Sequence, residues 1–228
     1  AFVSTIDIDA EMSKSFAFLM DMSMVGVGVG FDTKGAGKIA SIEPEGSPEL
    51  LVIEDSREGW VEALSCLIDS YLDEGSAPME FDYSLIREYG EPIRGFGGLA
   101  SGPEPLQHGL SGIRDILTKR AKSDNPLITS VDITDIMNII GKIVVAGNVR
   151  RTAEIAFSEP EDTDFMEMKN WETAGVETGS KAPEELKLVN SQDYDLYNSD
   201  WNARPEIAKK YSSESWAYKF GGWRWGVK

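Results

Sequence analysis

Four groups of residues in this sequence have the types and spacing to do chemistry. Gly30 to Lys38 (GFDTKGAGK) sets three glycines and two lysines directly behind a β-prone run, so backbone N–H groups and positive charge can be presented to a phosphate. The segment departs from a P-loop, because Ala36 rather than Lys follows Gly35 and no Ser or Thr follows Lys38. A tight solvent turn is the competing reading. Ala146 to Thr152 (AGNVRRT) pairs two arginines after a glycine, giving forked donors for a phosphate or a base edge, or else two surface salt bridges. Asp7, Asp9 and Glu11 have the charge to meet a cation, or to form a solvated turn. Cys66 is the one thiol and His108 the one imidazole. On a helix, Cys66 has Glu62, Asp69 and Asp73 as neighbours, which favour the neutral thiol and argue against a reactive one. A single histidine and a single cysteine leave a zinc site without ligands, and no nucleophile-elbow pattern points to a Ser-His-Asp set.

These groups need a framework, and the chain predicts one. Phe2 to Thr5 reads as a short strand and Met12 to Met24 as a helix with apolar residues around most of its circumference. Val25 to Phe31 (VGVGVGF) reads as a strand that a second backbone can approach closely, but it lacks the following helix that a dinucleotide fingerprint requires. Leu50 to Ile53 is a strand, and Asp55 or Ser56 caps a helix running to Leu72 with Val61, Leu64, Ile68 and Leu72 on one stripe. Pro78 to Ser84 is extended, Arg94 to Pro105 is a glycine-rich loop, and Leu106 to Lys122 is a helix. Val131 to Val145 is the clearest helix, with a broad apolar face set against a polar strip of Thr134, Asp135, Asn138 and Lys142. Ala146-Gly147-Asn148 stops it. Ala153 to Phe157 is a strand and Glu161 to Trp171 an acidic helix, while 172–202 is weakly patterned. Strands alternating with helices predict an α/β architecture.

The composition limits what such a framework could serve. The chain has 228 residues, 22 Lys+Arg against 39 Asp+Glu, and a net charge of -17, which argues against sequence-blind nucleic-acid binding. About 41% of the residues are apolar, enough for a real core. No apolar run approaches the roughly 20 residues of a membrane span. One cysteine excludes an intramolecular disulfide. A reducing, cytoplasmic setting without membrane or nucleic-acid partners is expected. The Trp-rich end (Trp216, Trp223, Trp225) reads as core or interface. The first residue is Ala rather than Met, which reads as a piece of something longer.

Four stretches in fixed order carry a more specific signal: Phe18 to Lys38, Val52 to Leu64, Gly95 to Leu106 and Asp135 to Phe157. Together they resemble the adenosylcobalamin-dependent (class II) ribonucleotide reductases, of the monomeric ribonucleoside-triphosphate reductase kind. The resemblance runs from residue 1 to about 170 and returns at Arg224-Trp225; 172–222 has no place in it. It implies a ten-stranded α/β barrel of which residues 1–170 supply about the first half, with 171–228 an acidic and aromatic extension. It implies ribonucleoside triphosphates as substrates, reduced at the 2′-hydroxyl by thiyl radical chemistry that adenosylcobalamin initiates. A deoxynucleoside triphosphate effector and a thioredoxin-like reductant are the implied partners.

By the same resemblance Asp7, Thr33, Lys34, Gly35 and Lys38 fall where the family binds the effector. Gly147, Asn148, Arg150 and Arg151 fall on the loop that carries the effector's identity to the substrate base. The family's cysteines have no counterparts here: one would precede Ala1, and the radical-bearing cysteine in its Asn-x-Cys-x-Glu pattern is absent. The resemblance therefore implies an internal slice, inactive alone, that relies on the remainder of a reductase chain. The alternative is a non-catalytic nucleotide-binding or assembly subunit that partners a separate cysteine-bearing chain. Underlying both is the expectation that the lysine turn and the arginine turn lie side by side and grip one nucleoside polyphosphate.

Overall fold

The computed structural model describes residues 1–93, 98–146 and 152–168. Residues 171–228, with the tryptophans at 216, 223 and 225, lie outside the described residues, as do 94–97 of the glycine-rich loop. The described elements run β1 (Phe2–Val3), α1 (Ile8–Glu11), α2 (Lys14–Met24), β2 (Val29–Asp32), β3 (Glu49–Val52), α3 (Arg57–Leu72), β4 (Met79–Asp82), α4 (Glu104–Ala121), α5 (Ser130–Ala146), β5 (Glu154–Phe157) and α6 (Thr163–Glu167). The chain divides into two compact units, Ala1–Asp162 and Thr163–Lys228.

In the first unit all strand pairing is parallel. β1, β2 and β5 form one sheet in that order, with Phe2 opposite Gly30 and Val29 to Asp32 opposite Glu154 to Phe157. β3 and β4 form a separate pair, Glu49 to Val52 opposite Met79 to Asp82. Parallel neighbours require crossovers: α1 and α2 join β1 to β2, α3 joins β3 to β4, and the whole of 33–153 intervenes between β2 and β5. Among the described residues the strands close no barrel, so the observed class is mixed helix and parallel sheet.

The helices pack as a connected set, α2 against α3 and α5, and α4 against α3 and α5. Val29 and Phe31 of β2 are buried beside them, while Gly30 stands on the other sheet face between Phe2, Ile155 and Phe157. Of the predicted stripe of α3, Leu64, Ile68 and Leu72 are buried and Val61 is half-buried, and Leu67, outside the stripe, is buried as well; each buried side chain is worth about 2 kcal/mol of apolar transfer. Ser56 caps the helix, its hydroxyl accepting the Gly59 N–H at 2.9 Å.

Two expectations need correction. Val25 to Gly28 is not strand, because α2 continues to Met24 and Gly26, at φ 86, turns the chain before β2 begins at Val29. The acidic stretch Asp7 to Glu11 is partly helical, as α1. Along the polar strip of α5, Lys142 is exposed whereas Thr134 and Asn138 are buried, and Thr134 satisfies its hydroxyl by donating to the Ser130 carbonyl at 2.8 Å.

Candidate functional site

The turn after β2 is organised by Asp32, the last strand residue. Its buried carboxylate accepts the Ser4 hydroxyl at 2.7 Å, the Thr5 N–H at 2.8 Å and the Lys34 N–H at 3.3 Å. Thr5 completes the join, donating its hydroxyl to the Asp32 carbonyl at 3.0 Å and accepting the Gly35 N–H at 2.9 Å. The segments after β1 and after β2 are thereby locked together. Gly35 sits so close beneath the Thr5–Ile8 turn that a Cβ there would lie 2.5 Å from the Thr5 carbonyl oxygen.

Five predicted residues meet at this end of the sheet, beyond the C-terminal ends of β1 and β2, where open parallel sheets bind ligands. Lys38 donates its ammonium to the Ile6 carbonyl, beside exposed Asp7. The Lys34 side chain is exposed and has no carboxylate partner among the described residues. Thr33 is buried and its hydroxyl donates to Ser158 at 2.7 Å, so it holds the turn and faces away from solvent. Gly35 is buried as well.

The predicted phosphate cradle of backbone amides is absent from this turn. Every N–H from Thr33 to Lys38 already has an acceptor: the Phe157 carbonyl, the Asp32 carboxylate, the Thr5 hydroxyl, and the Thr33, Ile128 and Gly35 carbonyls in turn. Lys34 and Lys38 are what the turn offers an anion. Asp32 and Thr5 are the functional positions that motif reading passed over; the signal available was an acidic residue closing a strand ahead of a Thr-Lys-Gly turn.

Gly147, Asn148, Arg150 and Arg151 lie outside the described residues. Their flanking anchors do not. Ile128, just before α5, accepts the Gly37 N–H, which places the start of that helix at the lysine turn. α5 has 17 residues, so Ala146 stands about 25 Å further along its axis. Thr152 anchors at the same far end, its hydroxyl donating to the Val27 carbonyl at 3.3 Å and pairing with the Ser23 hydroxyl at 3.1 Å, and the Ala153 carbonyl accepts the Val29 N–H. Thr152 thus stands at the N-terminal end of the β2–β5 ladder and the lysine turn at its C-terminal end. The expectation that the lysine turn and the arginine turn lie side by side falls on residues 147–151, outside the described residues.

Close to those anchors lies a residue that sequence reading missed. Glu154 points from β5 into the helix layer, its carboxyl pressed against Gly141 so tightly that no Cβ would fit there. Neither carboxyl oxygen has a hydrogen-bond partner, and burial raises its pKa from 4.5 to about 8. The Asn138 side-chain oxygen, one turn earlier on α5, is also buried and unpartnered. For Cys66 the expected direction holds: burial, then Glu62 and Asp69, push the thiol up from its ordinary value. His108 lies exposed on α4.

Residues 35–117 match the family model described as the insertion domain of B12-dependent ribonucleotide reductases. That segment holds β3, α3, β4 and most of α4, which lie between the paired strands β2 and β5. The chain is 46% identical over 189 residues to a probable adenosylcobalamin-dependent ribonucleoside-triphosphate reductase of Dictyostelium discoideum, covering 75% of this chain and 24% of that protein. It is 46% identical over 175 residues to the adenosylcobalamin-dependent ribonucleoside-triphosphate reductase of Euglena gracilis, covering 76% and 24%. A crystal structure of a B12-dependent (class II) ribonucleotide reductase superposes with a TM-score of 0.57 at 32% identity, over 69% of this chain and 26% of the other. The chain spans about a quarter of the length of these relatives. No described helix is long and apolar enough to cross a membrane.

Proposed function

This chain is related to the adenosylcobalamin-dependent (class II) ribonucleotide reductases, and from that premise we propose that it contributes nucleotide-sensing loops and part of the barrel wall to the reduction of ribonucleoside triphosphates. The observation that carries this reading is the convergence of Asp7, Lys34 and Lys38 beyond the ends of β1 and β2, in a turn that Asp32 and Thr5 hold shut. There the triphosphate of a deoxynucleoside effector meets two ammonium groups, and Asp7 has the acceptors for its sugar hydroxyl. Thr33 and Gly35 are positioning residues. Because no amide is spare, the attraction is charge-based and weakens with added salt.

Arg150 and Arg151, with Gly147 and Asn148, serve the ribonucleotide whose base is selected, with Arg150 the first contact. Coupling then passes through α5 and β5. A coupling of about 1–3 kcal/mol suffices to alter base preference. The completed protein forms the ten-stranded barrel: the sheet face opposite the helices, carrying Phe2 and Phe157, is the one a barrel turns inward. Residues 1–170 form the barrel part and 171–228 an extension of it, and a thioredoxin-like protein returns the electrons.

Adenosylcobalamin, when bound by the relatives, supplies the radical. The described residues do not fit that group: His108 is exposed on α4, and Cys66 is a helical thiol whose pKa is raised by burial and by Glu62 and Asp69. The radical and the reducing thiols belong to chain beyond these residues.

Titration with deoxynucleoside triphosphates at fixed ionic strength tests the reading. Lys34→Ala is expected to weaken binding about tenfold, a change of about 1.4 kcal/mol, and to flatten its salt dependence. Unchanged affinity with a native circular dichroism spectrum overturns the assignment. Restored cobalamin-dependent reduction on co-expression with a cysteine-bearing chain identifies a split enzyme; nucleotide binding without it identifies a separate sensing subunit.

A further inference from the structure

A second site lies in the β3-α3-β4-α4 segment, away from both loops. One wall is a face of β4 and its continuation, where alternating residues bring the Phe81 and Tyr83 rings together, centroids 6.3 Å apart and tilted by 59°. The other wall is one stripe of α4, where Gln107, Leu110, Ser111 and Arg114 recur at helical spacing. Between them is a cleft of about 360 Å³, within the range of small-molecule sites.

Arg114 sets the chemistry. Its guanidinium donates to the Met79 carbonyl at 2.7 Å and lies 5.9 Å over the Phe81 ring, so it is fixed in place with donors to spare. The other described arginines, Arg57, Arg87 and Arg120, each have a carboxylate partner. Arg114 has none among the described residues, in a chain with a net charge of -17. Among the described residues the Tyr83 hydroxyl, the Gln107 amide and the Ser111 hydroxyl have no side-chain hydrogen-bond partner, and they add donors around the same space. Glu80 borders the opening with its exposed carboxylate, which disfavours polyanions.

The geometry points to this cleft as a binding site for a small organic oxyanion, a carboxylate or phosphate joined to a flat ring, with the oxyanion on the Arg114 fork and the ring against Phe81 and Tyr83. The inference is independent of the effector reading above.

Calorimetric titration of the full chain with benzoate, phenyl phosphate and inorganic phosphate tests it. Saturable binding of at least one ring-bearing anion is expected, at least tenfold tighter than inorganic phosphate; a preference between the two identifies the oxyanion. Arg114→Gln is expected to weaken it at least tenfold, and Ser111→Phe, which fills the cleft and leaves the Arg114–Met79 bond, to do the same. Lys34→Ala is expected to leave it unchanged, which separates this site from the lysine turn. No saturable binding, equal affinity for inorganic phosphate, or binding indifferent to both cleft substitutions in folded protein overturns the assignment.

Discussion

Glu154 has the most costly environment of any described carboxyl, because its two oxygens are buried without a donor. Ionising it there would strand a charge among apolar groups, so the folded protein keeps the proton to about pH 8, whereas the unfolded chain releases it near 4.5. Between those values the folded state binds more protons than the unfolded state, so the contribution of Glu154 to stability falls as pH rises. The slope approaches 1.4 kcal/mol per pH unit at most. Glu154→Gln keeps the shape and removes the titration. Denaturant melts of the two proteins at intervals from pH 5 to pH 8.5 are expected to diverge steadily, with the variant gaining on the wild type toward alkaline pH. Parallel curves would show that the carboxyl finds a partner in solution. Glu154 stands beside the anchors of the arginine loop, so its protonation also keeps that end of the sheet free of a competing negative charge.

At the scale of elements, the α4–α5 corner shows how one side chain can hold two helices. Asp132 accepts the Thr129 N–H at 2.9 Å while the Thr129 hydroxyl accepts the Asp132 N–H at 3.2 Å, a reciprocal cap at the start of α5. Arg120, in the last turn of α4, clamps the same carboxylate through two bonds of 2.6 Å and 3.2 Å. Arg120→Ala is expected to cost about 2 kcal/mol and to lower the melting temperature by about 5 °C, measured by calorimetry. Loss of the clamp also loosens the Pro126–Ile128 segment that receives the Gly37 and Ser41 amides. Much of this level was readable from residue order: the Ser56 cap and most of the apolar stripe of α3 are local signals. The inward turn of Thr134 and Asn138 was not, because it depends on what packs against α5. Likewise, the lysine turn looks like an amide cradle until Thr5, Phe157 and Ile128, all distant in sequence from parts of it, take up its donors. Distant acceptors leave no mark in the spacing of glycines and lysines. The distance from Thr152 to the lysine turn has the same origin, since it follows from β5 pairing parallel to β2 across more than a hundred intervening residues.

For the molecule as a whole, the consequence lies in the sheet face that the helices leave bare. Phe2 is 55% exposed and Phe157 48% exposed, and their rings meet above Gly30 with centroids 6.0 Å apart. Among the described residues β1 and β5 each offer an unpaired edge, and β3 exposes Leu50 and Val52. Bare apolar faces beside open edges favour pairing with another chain. The net charge of -17 opposes that association through repulsion, which salt screens within about 10 Å at 0.1 M. Association is therefore expected to strengthen with ionic strength, the opposite of a contact built on salt bridges. Light scattering across a tenfold dilution should show a mass that rises with concentration, and rises further in added salt. Replacing Phe2 and Phe157 together by Thr, which keeps strand propensity while removing the rings, should return the chain toward monomer mass with its circular dichroism unchanged. A wild-type chain that stays monomeric at every concentration and salt level would mean that this face is covered within the molecule, and the inward-facing wall assigned to it would have to be sought elsewhere in the fold.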